Sequence, residues 1–501
     1  MPRLGRALAA LAAGCVLAAI APQAMAAPPA GADDLYREAR TLQASYAAEI
    51  GKLAEWCRQQ GLTAEERQTR AARGPQDPYK LFLPILPQAA GPPPGPPEDA
   101  PAGVAQWAGR LLKLRQEQAA ALYDLARRAI RRRQPSLAYQ CAVEAIGRDP
   151  DHEGLRRVFG YQKYRNQWHT AYEVKKLSAG MVWHDKFGWI RQSNVERYEQ
   201  GQRLANGRWI AADAEARLHA TIQAGWEIES EHYLIRTNDG IESAVALAEK
   251  LEGLNRLWQQ MFIRYYASEA YVDALFSGKG QAPRSQPPRF DVVYFHTRDE
   301  YNRALVREMP DIGVSTGIYI SHSRTAYFFA GGDDTQRVMY HEATHQLFQQ
   351  SRRVPPDIGR RANFWLVEGI AMYMESLHRQ NGYHVLGGLD DVRMTAARYH
   401  LFQQNFYVPF AALCRLGMSQ LQAQDNLAKL YSQMAAMTHF LVHYDGGRYR
   451  DALVACLAAI YSDNQDPNVL AELTGTSYAE LDRQYHEYMQ LGQPPSRPSP
   501  E

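Results

Sequence analysis

Two histidines and a glutamate in one short segment carry the residue types of a metal-dependent hydrolase. His341 and His345 lie four residues apart, and Glu342 follows the first histidine directly. On a helix this spacing places both imidazoles on one face, where two nitrogens about 2.0–2.1 Å from one ion suit zinc. Neighbouring helical residues point about 100° apart, so we expect Glu342 to activate a zinc-bound water as general base without ligating the metal.

A third ligand is expected in the next strongly apolar helical segment. A metzincin would carry Gly at position 348 and His at position 351, but this chain has Phe348 and Ser351. Glu368 is flanked by apolar residues, where an unpaired carboxylate would be costly to bury. A metal ion removes that cost, and three protein ligands leave the open position of a catalytic zinc. Glu368 is the predicted third ligand, and Glu375, on the same helical face, is the alternative.

The elements that must position these residues follow an order of strands first and helices afterwards. Strand patterns occur at 233–237, 290–295, 317–320 and 325–330, and the chain from 385 to 489 is mainly helical in pattern. This order predicts an α+β domain over 226–489, with a small mixed sheet, the zinc helix and C-terminal helices. The strand at 325–330 is the predicted edge for binding an extended peptide.

A wider pattern joins the zinc motif to residues downstream of it. After H-E-x-x-H at 341–345 come W-L-V-E-G-I-A at 365–371, Y-S-Q at 431–433, F-L at 440–441, G-R-Y at 447–449 and L-T-G-T-S-Y at 473–478. This pattern resembles the peptidase MA-like gluzincins, and within them the bacterial domain-of-unknown-function family 1570. The resemblance implies a gluzincin fold, a zinc ion and peptidase activity, without defining a substrate.

The resemblance also implies a carboxylate that orients the first histidine. Many gluzincins carry an Asp four residues after the third ligand, but that position here is Met372. Either another carboxylate, such as Glu375, Asp390 or Asp391, takes this role, or the metal is held less firmly.

Gluzincins generally add a Tyr or His that helps zinc stabilise the tetrahedral oxyanion of the reaction. Tyr431 is the first candidate, because it lies on a predicted helix in the family-like C-terminal segment. The alternatives are Tyr383, His384, Tyr399 and His400.

The first residues predict export. Arg3 and Arg6 precede an apolar run over 7–21, and Ala24-Met25-Ala26 is an A-x-A cleavage pattern. We expect a signal peptide over 1–26 and a mature protein that is periplasmic or secreted. Lipid attachment at Cys15 is the less favoured alternative, because the apolar run continues past that residue. No second segment of the sequence is long and apolar enough for a membrane span.

The rest of the chain predicts three further parts. Residues 27–163 are a mainly helical region with a Pro-rich linker at 84–103, and this helical region could bind a protein partner. Residues 164–225 form a small aromatic and Gly-rich module with two G-(x)-W-I pieces, and 490–501 are a disordered tail. Without Cys15, the cysteines at 57, 141, 414 and 456 form disulfides 57–141 and 414–456, or all stay as buried thiols.

Composition excludes one class of partner and leaves three functions open. A net charge of +2 over 501 residues supports no nucleic-acid binding. The favoured hypothesis is an exported zinc peptidase acting on a peptide or protein substrate. The alternatives are a catalytically inactive gluzincin-fold scaffold, and a zinc hydrolase of non-peptide amides or esters.

Overall fold

The computed structural model describes residues 32–90, 99–277, 289–332 and 335–491, which form a mixed α+β structure. The predicted signal peptide, Cys15, the centre of the Pro-rich linker and the tail beyond Leu491 lie outside these ranges. Among the described residues, no helix combines the length and the apolar character needed to cross a membrane.

The N-terminal region is mainly helical, and its apolar core also includes three residues from later in the chain, Ile263, Val272 and Phe276. Its elements are α1 (Ala32–Gln59), α2 (Thr63–Ala71), β1 (Lys80–Pro84), α3 (Ala102–Arg131), α4 (Pro135–Arg148) and α5 (Glu153–Val158). Pro135 starts α4, where its missing N–H costs no helical hydrogen bond. The helices α1, α3, α4 and α5 pack around buried residues such as Leu122, Leu125 and Ala142.

Three hairpin–helix units follow in tandem. They are β2 (Tyr161–Tyr164), β3 (Gln167–Thr170) and α6 (Ala171–Ser178); β4 (Met181–His184), β5 (Gly188–Arg191) and α7 (Val195–Glu199); and β6 (Gln202–Ala205), β7 (Arg208–Ala211) and α8 (Ala212–Leu218). A glycine with positive φ precedes each unit, at Gly160, Gly180 and Gly201. The two Gly-(x)-Trp-Ile pieces noted in the sequence fall on β5 and β7. The first hairpin lacks this motif, because β3 carries Gln167 and Trp168 instead.

A five-stranded mixed sheet supports the zinc helix predicted from the sequence. The elements are β8 (Trp226–Glu229), β9 (Tyr233–Thr237), α9 (Ile241–Met261), α10 (Ile263–Tyr266), α11 (Glu269–Ser277), β10 (Phe290–Phe295), α12 (Arg298–Leu305), β11 (Ile318–Ile320), β12 (Thr325–Phe329) and α13 (Thr335–Gln350). The strand order is β11-β12-β10-β9-β8. β10 runs parallel to β9 and β12, and the outer strands β8 and β11 are antiparallel to their neighbours.

The prediction that the strand at 325–330 is an edge for binding a peptide is wrong. β12 is an inner strand, paired with β10 on one side and with β11 on the other. Over 325–327 both neighbours pair with its backbone, so β12 does not offer a free edge along its length. The edge of the sheet next to α13 is β11. It corresponds to the strand pattern at 317–320, which comes directly before the pattern at 325–330.

The C-terminal half packs helices around a short hairpin. Its elements are α14 (Phe364–Met374), β13 (His378–Gln380), β14 (Tyr383–Gly387), α15 (Val392–Gln403), α16 (Phe410–Arg415), α17 (Met418–Gln422), α18 (Leu427–His443), α19 (Arg450–Ile460), α20 (Val469–Thr474) and α21 (Tyr478–Gln490). The helices α14 and α18 lie close together at Gly369, where a Cβ atom would come within 2.4 Å of Thr438 Oγ1. This close approach fixes the position of α14, which carries the neighbouring Glu368.

The N-terminal region is joined to the C-terminal half by a shared sheet. β1 pairs antiparallel with β14, from Lys80 opposite Gly387 to Pro84 opposite Tyr383. Leu83 of β1 is part of the main apolar core. The helices of the two parts also meet, since Asp451 accepts hydrogen bonds from the backbone and hydroxyl of Ser136.

The cysteines at 57, 141, 414 and 456 are all buried free thiols in the structure. Neither of the two disulfides considered from the sequence is present.

Candidate metal centre

Helix α13 brings His341 and His345 to one face. Met339, Ala343 and Leu347 point into the apolar core, and their burial fixes the rotation of the helix about its axis. The two histidines therefore project towards α14, with their Nε2 atoms 3.2 Å apart. Each side chain keeps 15–17% of its surface exposed.

Glu368 on α14 completes a triangle of donor atoms. Its Oε2 lies 3.5 Å from His341 Nε2, and its Oε1 lies 3.6 Å from His345 Nε2. Tetrahedral zinc with ligands at 2.0–2.1 Å requires donor atoms about 3.3–3.4 Å apart. The two Nε2 atoms are 3.2 Å apart, and each lies 3.5–3.6 Å from a different oxygen of Glu368, so the three side chains converge closely enough to hold a zinc ion. Among the described residues, they are the group of metal-ligating side chains that converges within 4.8 Å.

Glu375 lies behind the first histidine. Its Oε1 is 3.0 Å from His341 Nδ1, on the side of the ring away from the triangle. Arg393 and Arg337 also contact this carboxylate, at 3.0 and 3.2 Å. Burial alone would raise the pKa of Glu375, but the hydrogen bonds from His341 and Arg393 outweigh it and lower the pKa to about 2. Glu375 is thus placed to orient His341 in the way the absent Asp at position 372 would.

Glu342 is bonded to the edge strand β11 and lies close enough to His341 and Glu368 for their charges to influence its pKa. Its Oε2 accepts a hydrogen bond of 2.8 Å from the backbone N–H of Tyr319 in β11. Burial raises the pKa of Glu342 to about 7, although nearby His341 and this N–H favour the ionised form. A carboxylate with a pKa near neutrality can both take and return a proton, as a general base and acid must.

The two histidines have opposite protonation tendencies. Burial lowers the pKa of His345 to about 4. Burial would also lower the pKa of His341, but its hydrogen bonds with Glu368 and Glu375 raise it to about 10. The carboxylates thus stabilise one positive charge at this position. Metal binding requires neutral imidazole, so a metal dication would replace the proton of His341 and interact with the same carboxylates.

Tyr431 lies on α18 and is half-buried. Burial, together with the negative charge of Glu368, raises the pKa of its hydroxyl to about 12. The other candidates point elsewhere: Tyr383 lies beside Phe82 of β1, Tyr399 is 55% exposed, and His400 Nδ1 is 3.0 Å from Ser432 Oγ. His384 lies on β14 near Gly253 of α9. Of these side chains, Tyr431 is the one whose hydroxyl is influenced by Glu368.

A polar stripe on α13, formed by Glu342, Gln346 and Gln350, holds the β11–β12 hairpin. Only Glu342 of these three residues was predicted from the sequence to have a role. Gln346 Nε2 donates to the carbonyl oxygens of Asp291 and Arg324, at 3.0 and 3.2 Å. Gln350 Nε2 donates to Arg324 O at 2.7 Å and to Tyr319 Oη at 3.2 Å. With Glu342, these residues recur every fourth position, and that spacing is the signal that could have revealed them.

Searches against models of known protein families and against curated proteins found no match for this chain. The chemistry of the centre is therefore inferred from its own atoms.

Proposed function

We propose that this protein is a zinc-dependent metallohydrolase that cleaves peptide bonds in a peptide or protein substrate. The observation that carries the proposal is the triangle of His341, His345 and Glu368: the two Nε2 atoms are 3.2 Å apart, and they lie 3.5 and 3.6 Å from the two oxygens of Glu368, spacings close to those around zinc. A general base beside the triangle favours hydrolysis over a structural role for the metal.

Zinc in such a site would lower the pKa of a bound water and polarise the substrate carbonyl. The residues of the chain supply the remaining functions. Glu342, oriented by the N–H of Tyr319, takes a proton from the attacking water and returns it to the leaving amine. Glu375 keeps Nδ1 of His341 protonated, so that Nε2 is free to ligate. Tyr431 is proposed to donate a hydrogen bond to the oxyanion.

The edge strand β11 supports peptides as substrates. The N–H of Tyr319 is bonded to Glu342 and so takes no part in the ladder with β12. Antiparallel pairing turns the N–H and C=O of one residue to the same side, so the carbonyl of Tyr319 also faces away from β12. An extended peptide could donate a backbone N–H to this carbonyl, beside the triangle.

The gluzincin assignment remains part of the proposal. It is supported by the H-E-x-x-H segment on α13 and by the Glu of W-L-V-E-G on the next helix. The inactive-scaffold alternative gains no support from a site in which the base and all three ligands are intact.

The test combines metal content with activity. The purified protein should contain about one zinc per chain and should cleave a denatured-protein substrate in a manner blocked by chelators. One zinc per chain without hydrolysis of proteins, or of a panel of small amides and esters, would support the scaffold. Hydrolysis of small amides or esters alone would support the non-peptide hydrolase.

Export is proposed from the N-terminal sequence. N-terminal sequencing of the protein from its native host should find Ala27 first, in the periplasm or the medium. Lipid on Cys15 would instead identify a lipoprotein.

A further inference from the structure

The N-terminal region reaches the candidate metal centre through one strand and one loop. β1 adds to the outer side of β14, and the pairing extends to a backbone hydrogen bond of 2.8 Å from Ile85 N to Gly382 O. The chain then leaves β14 through a short turn, which we call the 387–391 loop. This loop connects β14 to α15.

The shape of the 387–391 loop depends on β1. Gly387 and Gly388 have φ values of 87° and 118°, which residues with a Cβ atom rarely adopt. The Lys80 side chain covers Gly388 so closely that a Cβ atom there would lie 2.5 Å from Lys80 Cε. Lys80 Nζ also lies 2.9 Å from an Asp390 carboxylate oxygen. Lys80 thus contacts two residues of the loop from the side of the N-terminal region.

A buried imidazole joins the same two segments. His439 Nε2 lies 3.1 Å from the carbonyl oxygen of Tyr79 and 3.0 Å from the backbone N of Gly388, and its tautomer decides which of the two it hydrogen-bonds. The residue before β1 and the turn after β14 therefore meet at one ring. Displacement of β1 would remove one side of this contact.

The far end of the loop reaches the first metal ligand. Asp391 accepts a hydrogen bond from Arg393 N at 2.8 Å, which caps α15, and its other oxygen lies 2.9 Å from Arg337. Arg337 lies 3.2 Å from Glu375, which in turn is 3.0 Å from His341 Nδ1. The side chains of Asp391, Arg337 and Glu375 are 12%, 24% and 5% exposed, so solvent screens these charges less than surface pairs.

We propose that β1 holds the 387–391 loop in the conformation that positions Glu375, and through it the first zinc ligand His341. The N-terminal region is then a built-in part of the metal site, and Lys80 and Asp391 are positioning residues. This inference rests on the proposed function, because it requires that the triangle binds zinc. Its consequence is that zinc affinity depends on a strand more than 250 residues before the ligands.

The experiment measures zinc affinity of the full mature chain by competition with a chelator. Lys80→Ala removes both the stem over Gly388 and the charge, Lys80→Met keeps most of the stem, and Lys80→Arg keeps both. We expect Lys80→Ala to weaken zinc binding about 3- to 10-fold, Lys80→Met to have a smaller effect and Lys80→Arg to restore wild-type affinity. Asp391→Asn, one contact closer to the metal, should weaken binding by about 10-fold or more.

A matched control separates this path from general attachment of the N-terminal region. Arg40→Met removes another ion pair between the same two parts, with Asp445 at 3.3 Å. It should leave zinc affinity within about twofold of wild type, because Asp445 has no contact with the 387–391 loop. The visible spectrum of the cobalt-substituted protein adds a second readout, which should change in Lys80→Ala and stay unchanged in Arg40→Met.

The outcomes distinguish the two proposals. If Lys80→Ala and Asp391→Asn fold and bind zinc as tightly as Arg40→Met, the positioning role is overturned. If Lys80→Ala does not fold, Lys80→Met and Asp391→Asn decide in the same way. A wild-type chain that binds zinc without hydrolysing any substrate would refute the hydrolase and leave the affinity comparison valid. A wild-type chain that binds no zinc would refute both.

Discussion

At the scale of single residues, the centre assigns different tasks to carboxylates that are close in space. Glu368 faces both Nε2 atoms, Glu375 faces Nδ1 of His341, and Glu342 faces the backbone of β11. In the proposed mechanism, the same functional group therefore ligates, orients or exchanges a proton according to the atom it contacts.

The first prediction separates ligation from catalysis. Glu342→Gln keeps the size of the side chain but cannot take a proton near neutral pH. Zinc content should stay at the wild-type level while the hydrolytic rate falls at least ~10²-fold, the usual scale for a general base. Glu368→Gln should instead lose zinc, because it removes a charged ligand. Loss of zinc from Glu342→Gln with retention in Glu368→Gln would show that the two roles are reversed.

The second prediction concerns Glu375. Glu375→Gln should lower zinc affinity about 10- to 100-fold, because the variant no longer holds His341 through a charged acceptor. The metal-free protein gives a pH test: the pKa of Glu375 is lowered to about 2 from its ordinary 4.5. Its contribution to stability is then complete above pH 4.5 and is lost as the pH falls towards 2. Thermal unfolding should show the full difference between wild type and Glu375→Gln near pH 5–6. The difference should narrow in stronger acid, and also above pH 6.5, because Glu375 helps raise the pKa of His341 to about 10 and that contribution is lost as His341 deprotonates. A difference that grows below pH 4.5 would contradict this assignment.

At the scale of elements, α13 has two functional faces besides its core face. One carries the proposed metal ligands, and the other carries Glu342, Gln346 and Gln350 against the β11–β12 hairpin. The base and the strand proposed to bind the substrate are therefore attached to the same helix.

The third prediction tests this attachment. Gln350→Met keeps the bulk of the side chain and removes its hydrogen bonds to Tyr319 and Arg324. We expect a loss of stability of about 1–2 kcal/mol and an increase in KM, because β11 is held less firmly, while zinc content is unchanged. The control is Tyr319→Phe, which removes the bond to the hydroxyl alone. Unchanged KM and stability in Gln350→Met would mean that the stripe does not hold the hairpin.

At the scale of the whole molecule, the N-terminal region and the part of the chain after residue 226 share apolar cores and a sheet. Ile263, Val272 and Phe276 of α10 and α11 are buried against the N-terminal helices. The boundary at residue 226 predicted from the sequence is therefore crossed by extensive packing.

The fourth prediction follows from this packing. A chain that begins at Trp226 would expose these side chains, each of which contributes about 1.5–3 kcal/mol when fully buried. We expect this shorter chain to aggregate, or to have a melting temperature in calorimetry well below that of the mature chain. It should also bind zinc more weakly, because β1 is missing. The mature chain starting at Ala27 is the reference. Equal melting temperatures and zinc affinities would show that 226–489 is an independent domain.

The sequence by itself determined those features that depend on local geometry. The spacing of His341 and His345 sets their common face on any helix, and the apolar run around Glu368 predicts a buried carboxylate. The α+β class also followed from the order of strand and helix patterns, and the structure confirms it.

Only the tertiary structure decided which distant groups meet. Glu368 lies on α14 and Glu375 directly follows its last residue, and the packing of α14 against α13 alone turned one to the Nε2 atoms and the other to Nδ1. The edge position of β11 depends on how the strands pair, because the local pattern of a strand does not reveal its neighbours. The addition of β1 to β14 joins residues about 300 positions apart, and no local propensity encodes such a contact. These contacts arise when packing against the core brings the elements together.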